Sequence, residues 1–294
     1  MRATTAVCAW ALSGLLATSA WAAERVVTNR HTGLIEAPLT GLRKAAERGD
    51  RAELGRWAAR IGTARLARAL AGVDRGLSLA VLDSLPYLPA RLLLLEPVLA
   101  RCESADAATS ERALRTLGTM LGEADAAVLE TWEVPPETSE RACRVLTAVA
   151  SRADREVSVR LAALQSLADA HALCGRQRVS TLLRDPVPEI RRAAFVLSSA
   201  ADAGAIQDCG KDPDAGVVSA CGAALCRLRL VPNVHPGSAA SAPRPLRELA
   251  VLPGTSAEDA AEMLVCLAES KDPADAKVAK EIRSKSSAAL RAMK

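Results

Sequence analysis

Between Asp154 and Leu228 apolar residues recur at helical spacing in three imperfect copies of one unit. The copies are DREVSVRLAALQSL from Asp154, DPVPEIRRAAFVLS from Asp185 and DPDAGVVSACGAAL from Asp212, offset by 31 and 27 residues. Five residues after each Asp stands Val159, Ile190 or Val217; eight after it, Ala162, Ala193 or Ala220. Nine after it stands Ala163, Ala194 or Cys221. Positions +5, +8, +9 and +13 share one face at 3.6 residues per turn, so each copy predicts an amphipathic helix whose small residues admit a close neighbour. Asp heads each copy, and Pro186 and Pro213 follow it in two. An Asp side chain accepts from the free N–H groups of a first turn and proline suits a helix start, so the three helices are predicted to open there. Shorter apolar stretches at Gln177–Arg184 and Ala203–Cys209 predict a second, two-turn helix in each unit. One such unit cannot bury its apolar face alone, so units must stack.

The same periodicity predicts further helices at Leu39–Arg48, from the capping-box-like Asp50–Glu53 to Arg60, and at Ala64–Ala71, Arg75–Leu85 and Ala90–Arg101. Trp57, between Leu54 and Ile61, reads as core, and Pro97 is expected to kink or shorten its helix. A second echo pairs SERALRTLGTML from Ser110 with SERACRVLTAVA from Ser139, an offset of 29 residues, with Ala124–Trp132 between them. The array thus spans residues 39–230 of an all-α chain. Residues 231–245 are rich in Pro, Ser and Ala and read as a linker or surface loop. Residues 246–294 hold a helical pair, opening at Thr255–Glu258 and Asp272–Pro273, that reads as a cap on the open end of the array or, alternatively, as a small mobile appendage.

Composition narrows the class. The 294 residues are 50% hydrophobic and 24% charged but only 2% aromatic, which suits closely stacked helices and excludes a disordered chain. A formal net charge of +4 is small for this length and implies no strong attraction to nucleic acid or acidic membranes. Residues 1–22 have the form of a secretory signal peptide: Arg2, an apolar run from Ala6 to Leu16, and Ala20-Trp21-Ala22 as the cleavage site. An uncleaved anchor is the alternative reading; residues 23–38 follow as an irregular leader. Export to the periplasm or the cell exterior permits disulfides, for which Cys209 with Cys221 and Cys102 with Cys143 are candidates. The alternative for any of these is a small buried hydrophobe.

Chemistry-bearing motifs are sparse. The sequence has no Gly-rich phosphate loop, nucleophile elbow or His-Glu-x-x-His pair, and His31, His171 and His235 lie apart. Cys221 and Cys226 are five apart, which on a helix puts their sulfurs on different faces. Neither a catalytic residue nor a cofactor or metal site is expected. Exposed arginines, including Arg112, Arg141, Arg160, Arg191 and Arg192, are candidates for reading acidic segments of a partner, or else for intramolecular pairs.

Asp154 with Val159-Arg160, Asp185 with Ile190-Arg191, and Asp212 with Val217 give the chain a pattern that resembles HEAT repeats, in particular the short variety first described in phycobilisome lyases. The resemblance implies an α-solenoid in which the turn Asp and helix Arg of successive repeats form a ladder. Asp154, Arg160, Asp185, Arg191 and Asp212 match it, while Val218 holds the third Arg position, where the ladder should break. The resemblance specifies architecture and carries no activity. Since a solenoid exposes a long concave surface and no catalytic motif is present, the expected role is a non-enzymatic scaffold or adaptor that holds another protein, with Arg192 among the exposed arginines on that surface. The alternatives are an accessory subunit of an enzyme, as the lyase-like proteins are, and, further off, a HEAT-like nucleic-acid binder.

Overall fold

The computed structural model describes residues 37–122, 124, 126–131, 134–174, 179–206, 211–228, 257–269, 273 and 277–280. The signal sequence, most of the leader, His31, Cys209, the 231–245 segment with His235 and the helix expected from Asp272 to Leu290 lie wholly or almost wholly outside them. The described residues are helical, with no strand among them, so the all-α expectation holds there. They divide into two compact units, one ending at Pro89 and one beginning at Ala90.

The first unit contains α1 (residues 37–47), α2 (Arg51–Ile61), α3 (Thr63–Ala71), α4 (Arg75–Ser84) and a 3₁₀ turn at Leu85–Tyr87. Asp50 caps α2 by accepting from the Glu53 N–H, and Asp74 caps α4 through Leu77. Gly62, at φ 79°, ends α2 and starts α3 in a conformation that a side chain would oppose. Leu42, Leu54, Ile61, Leu66, Leu70 and Leu82 are buried, each stabilising the unit by about 1.5–3 kcal/mol through transfer from water. Trp57 differs from expectation: it is only half-buried and lies over Gly41, where a Cβ would come within 2.6 Å of the ring.

The second unit runs through α5 (Leu95–Cys102), α6 (Ala107–Gly122), α7 (Ala126–Thr131), α8 (Pro136–Ser151), α9 (Val157–Asp169), α10 (His171–Cys174), α11 (Pro188–Leu197), α12 (Ala203–Ile206), α13 (Ala215–Arg227) and α14 (Ala257–Glu269). Helix α9 packs on α6, α8 and α11; α11 packs on α13, and α13 on α14. Helices α6 and α9 approach closely at two glycines outside the repeat positions. A Cβ on Gly118 would stand 2.8 Å from Ser166, and one on Gly122 would stand 2.8 Å from the Asp169 carbonyl oxygen.

Several helix ends differ from the sequence reading. The helix expected at Ala90–Arg101 is a 3₁₀ turn (Arg91–Leu94) followed by α5, and Pro97 sits in the first turn of α5, where its missing N–H has no partner to lose. Helix α6 begins upstream of Ser110, with Asp106 accepting from the Thr109 N–H, and α8 begins at Pro136 rather than Ser139. Helices α6 and α8, which carry the Ser110 and Ser139 segments, both pack on α9. Helices α9, α11 and α13 start after Glu156, Val187 and Asp214, not at the repeat aspartates. Pro188, not Pro186, is the first residue of α11. The short second helices are reduced to a 3₁₀ turn at Leu182–Arg184 and to α12.

Candidate functional site: the guanidinium–carboxylate ladder

The repeat aspartates lie in the turns before their helices, and this placement turns two of them, Asp185 and Asp212, into cross-links. Asp185 accepts the Val187 N–H at 3.0 Å, which fixes the turn ahead of α11. Arg160, two residues from the middle of the first turn of α9, reaches across to the same carboxylate through both terminal nitrogens while its Nε donates to the Ala150 carbonyl at 2.9 Å. The pair is enclosed, with side chains 3% and 8% exposed. One guanidinium thus joins the end of α8, the body of α9 and the turn before α11.

The next rung repeats the arrangement. Arg191 on α11 donates from Nε and NH2 to the two oxygens of Asp212, at 2.7 and 2.8 Å. Its NH1 donates back to the carbonyls of Asp185 and Pro186, so Arg191 also ties its own rung to the previous one. Asp212 Oδ1 accepts the Asp214 N–H, and Asp214 in turn caps α13 through Val217. Such bidentate, charge-assisted pairs are stronger than neutral hydrogen bonds and fix direction. Burial pushes the Asp185 carboxyl up, but the hydrogen bonds from Arg160 and the Val187 N–H and the nearby guanidinium charges outweigh it and hold the group below its ordinary value. The hydrogen bond to Asp212 raises Arg191 above the usual guanidinium value.

Asp154 is not part of this chain of rungs: it is exposed and paired with Arg152 two residues before it. At the other end Val218 takes the place of an arginine and is buried with Ala223, Met263 and Ala279. The helix α14 covers it. Ser219 and Arg192 approach Asp259, Arg227 pairs with Glu262, and Cys226 is bonded to Cys266. Where the ladder stops, an apolar contact and a disulfide replace it.

The arginines expected to face a partner are largely engaged within the chain. Arg160 and Arg191 form the rungs, and Arg141 pairs with Glu96, which Thr138 also contacts. Arg192, with a side chain 45% exposed and 3.7 Å from Asp259, is more open than the two rung arginines. One anchor escaped the sequence reading altogether. Arg155 donates to the carbonyls of Cys102 and Ser104 and to Ser110 Oγ, holding the α9 approach against the α5–α6 corner. Its only sequence signal is a charged residue in a charge-rich run, which is indistinguishable from a solvated one.

The cysteine pairing is corrected. Cys102 and Cys143 do not pair: Cys143 is bonded to Cys174, with Cα atoms 5.4 Å apart, because α10 folds back on α8. Cys102 is a buried free thiol, and burial, aided by the Glu103 charge, pushes its ionisation far above the usual thiol value. Cys221 is disulfide-bonded and its proposed partner Cys209 lies outside the described residues. Cys221 and Cys226 face different neighbours, as their spacing on α13 requires.

A surface pocket of about 490 Å³ lies between the 3₁₀ turn at Leu182–Arg184 and α12, walled by Ser180, Thr181, Arg184 and Asp202 among others. Asp202 is buried and its Oδ2 accepts from the Ser199 N–H and hydroxyl, so the carboxylate offers this pocket almost no accessible surface. Among the described residues no group of three His, Cys, Asp or Glu side chains is placed to hold a metal ion. His171 Nδ1 lies 3.2 Å from the Ala168 carbonyl oxygen, at the foot of α9. No described helix is long and apolar enough to cross a membrane. In comparisons with known proteins, no family model matches the chain and no curated protein matches it.

Proposed function

We propose that this chain is an exported α-solenoid of HEAT-like helix pairs that serves as a non-enzymatic scaffold or adaptor for another protein. The observation that carries the reading is the two-rung ladder. Arg160 to Asp185 and Arg191 to Asp212 bind each turn to the helix before it, in the register that the sequence repeat sets. Rungs of this kind stiffen a stack of units without joining residues distant along the array, which suits a surface that must keep its shape while a partner lies along it. The disulfides Cys143–Cys174 and Cys226–Cys266 support a working life in an oxidising compartment.

The test is photo-crosslinking of the mature protein in intact cells, with the crosslinker placed at exposed positions of α8 and α11 such as Ala148 and Val196. A scaffold gives one recurrent protein adduct from neighbouring positions. Recovery of the chain without any adduct, together with turnover of a small molecule by the purified protein, replaces this reading with an enzymatic one.

A further inference from the structure

The small net charge of the whole chain conceals an uneven distribution. Residues 37–89 hold nine Lys and Arg against five Asp and Glu, whereas residues 90–294 hold 26 against 27. Within the first unit the excess lies on one kind of surface. On α2 the buried residues are Leu54, Ala58 and Ile61, and the opposite side carries Ala52, Arg56, Ala59 and Arg60, all exposed. On α3 the buried residues are Leu66 and Leu70, and the opposite side carries Ala64, Arg65, Arg68 and Ala71, again all exposed. Arg56 and Arg68 thus lie opposite the buried stripes of their helices, and Arg60 and Arg65 flank them; the Arg60 guanidinium lies over the Trp57 ring, 5.4 Å from its centre.

An ordinary solvated helix face mixes signs. Helices α6 and α8 do so, pairing Glu111 with Arg115 and Glu140 with Arg144. The outward faces of α2 and α3 hold no acid, and Arg56, Arg60, Arg65 and Arg68 form no ion pair among the described residues. Three of the five carboxylates of this unit are committed elsewhere: Glu53 to Arg48, Asp74 to Arg43 and the α4 cap, and Asp50 to the α2 cap. At the end of α3, in the turn to α4, Val73 stands wholly in solvent at 104% exposure.

We propose that the outward face of α2 and α3 is a docking surface for an anionic phospholipid membrane. The exposed residues beside these arginines are Ala52, Ala59, Ala64 and Ala71, and the one large apolar group that meets a guanidinium, Trp57, is already covered by Arg60. A protein interface draws its affinity from anchors seated in desolvated pockets, which such a face does not provide. A sheet of phosphate headgroups needs only density of charge and accepts guanidinium groups in any register, and the fully exposed Val73 in the turn after α3 offers an apolar side chain nearby in the chain. The attachment is peripheral and electrostatic, and it is independent of the scaffold reading: the ladder lies in the other unit.

The experiment is co-sedimentation of the full mature chain with vesicles of phosphatidylglycerol mixed into phosphatidylcholine, against vesicles of phosphatidylcholine alone. Binding is expected on the anionic vesicles only and is expected to fall as salt rises. Replacing any one of the four arginines with Ala is expected to weaken partitioning about five-fold, and the quadruple Arg→Ala variant to abolish it. A control with Arg115, Arg144, Arg152 and Arg184 all changed to Ala, which lowers net charge equally, is expected to keep most of the binding. Val73→Asp is expected to reduce it, and circular dichroism to show every variant folded. Equal binding to neutral vesicles, no binding to anionic ones, or equal loss in the two quadruple variants would overturn the proposal. So would tighter binding of soluble poly-glutamate than of vesicles at matched charge, which would assign the face to an acidic protein.

Discussion

The rung between Arg160 and Asp185 makes a quantitative prediction. Both side chains are almost fully enclosed, and Arg160 spends one nitrogen on the Ala150 carbonyl and two on the carboxylate. Changing Asp185 to Ala leaves a buried guanidinium without its counter-ion and also frees the Val187 N–H. Removing one member of a buried pair costs about 3–5 kcal/mol, of which the lost turn hydrogen bond is about 1 kcal/mol. Arg160→Met leaves a buried carboxylate that can still take the Val187 N–H, so its cost is expected at the lower end of that range. The double variant Arg160→Met/Asp185→Leu removes both charges and replaces them with apolar volume, so it is expected to be within about 1–2 kcal/mol of the parent or above it. Urea unfolding followed by circular dichroism reads all three, and the cycle gives a coupling energy of at least about 2 kcal/mol. Single variants that each cost under about 1 kcal/mol and add without coupling would show that the rung is a surface-type pair and refute the reasoning.

Three further outcomes follow from the same contacts. The folded Asp185 carboxyl is held below its ordinary value of 3.8, so its contribution is complete above that value and is lost as pH falls through the lower folded value; acid unfolding of Asp185→Asn is expected to lack this component. Gly118→Val forces apart the α6–α9 crossing at Ser166 and is expected to cost about 1–3 kcal/mol or more in urea unfolding, whereas Gly49→Ala, with nothing within 4 Å, is expected to cost only its backbone strain at φ 65°. Replacing Cys143 and Cys174 by Ala opens a loop of sequence separation 31 and is expected to lower stability by about 3–4 kcal/mol, read as a shift in thermal midpoint, while Cys102 is expected to react with a thiol reagent only after unfolding.

The repeat face was legible because it depends on periodicity alone. Val159, Ala163, Leu167, Ile190, Ala194, Val217 and Cys221 are buried where the spacing puts them. The resemblance to HEAT repeats, not the spacing itself, suggested an Asp–Arg ladder; Arg160–Asp185 and Arg191–Asp212 pair among the residues it named, whereas Asp154 pairs with Arg152 instead. What escaped depends on competition between neighbours. Asp212 and Asp214 are equally good caps by type; Asp214 takes the role because Arg191 claims Asp212 from the previous helix. The same competition moved the start of α11 from Asp185 to Pro188, because Arg160 holds Asp185 in the turn. Cysteine spacing carried no information on which sulfurs meet: Cys102 lies within α5 against Ser110, while the return of α10 onto α8 brings Cys174 to Cys143. The uneven charge was hidden by averaging, since its sign and place matter only once α2 and α3 have a buried side and an outward one.

Native-state hydrogen exchange on the Asp212→Ala variant tests the central claim most directly. If α9, α11 and α13 are nearest-neighbour units joined by rungs, protection is lost in α11, α13 and the turn between them while α6 and α8 exchange as in the parent. Uniform loss of protection from α5 to α14 would mean a single cooperative core and would contradict a repeat array.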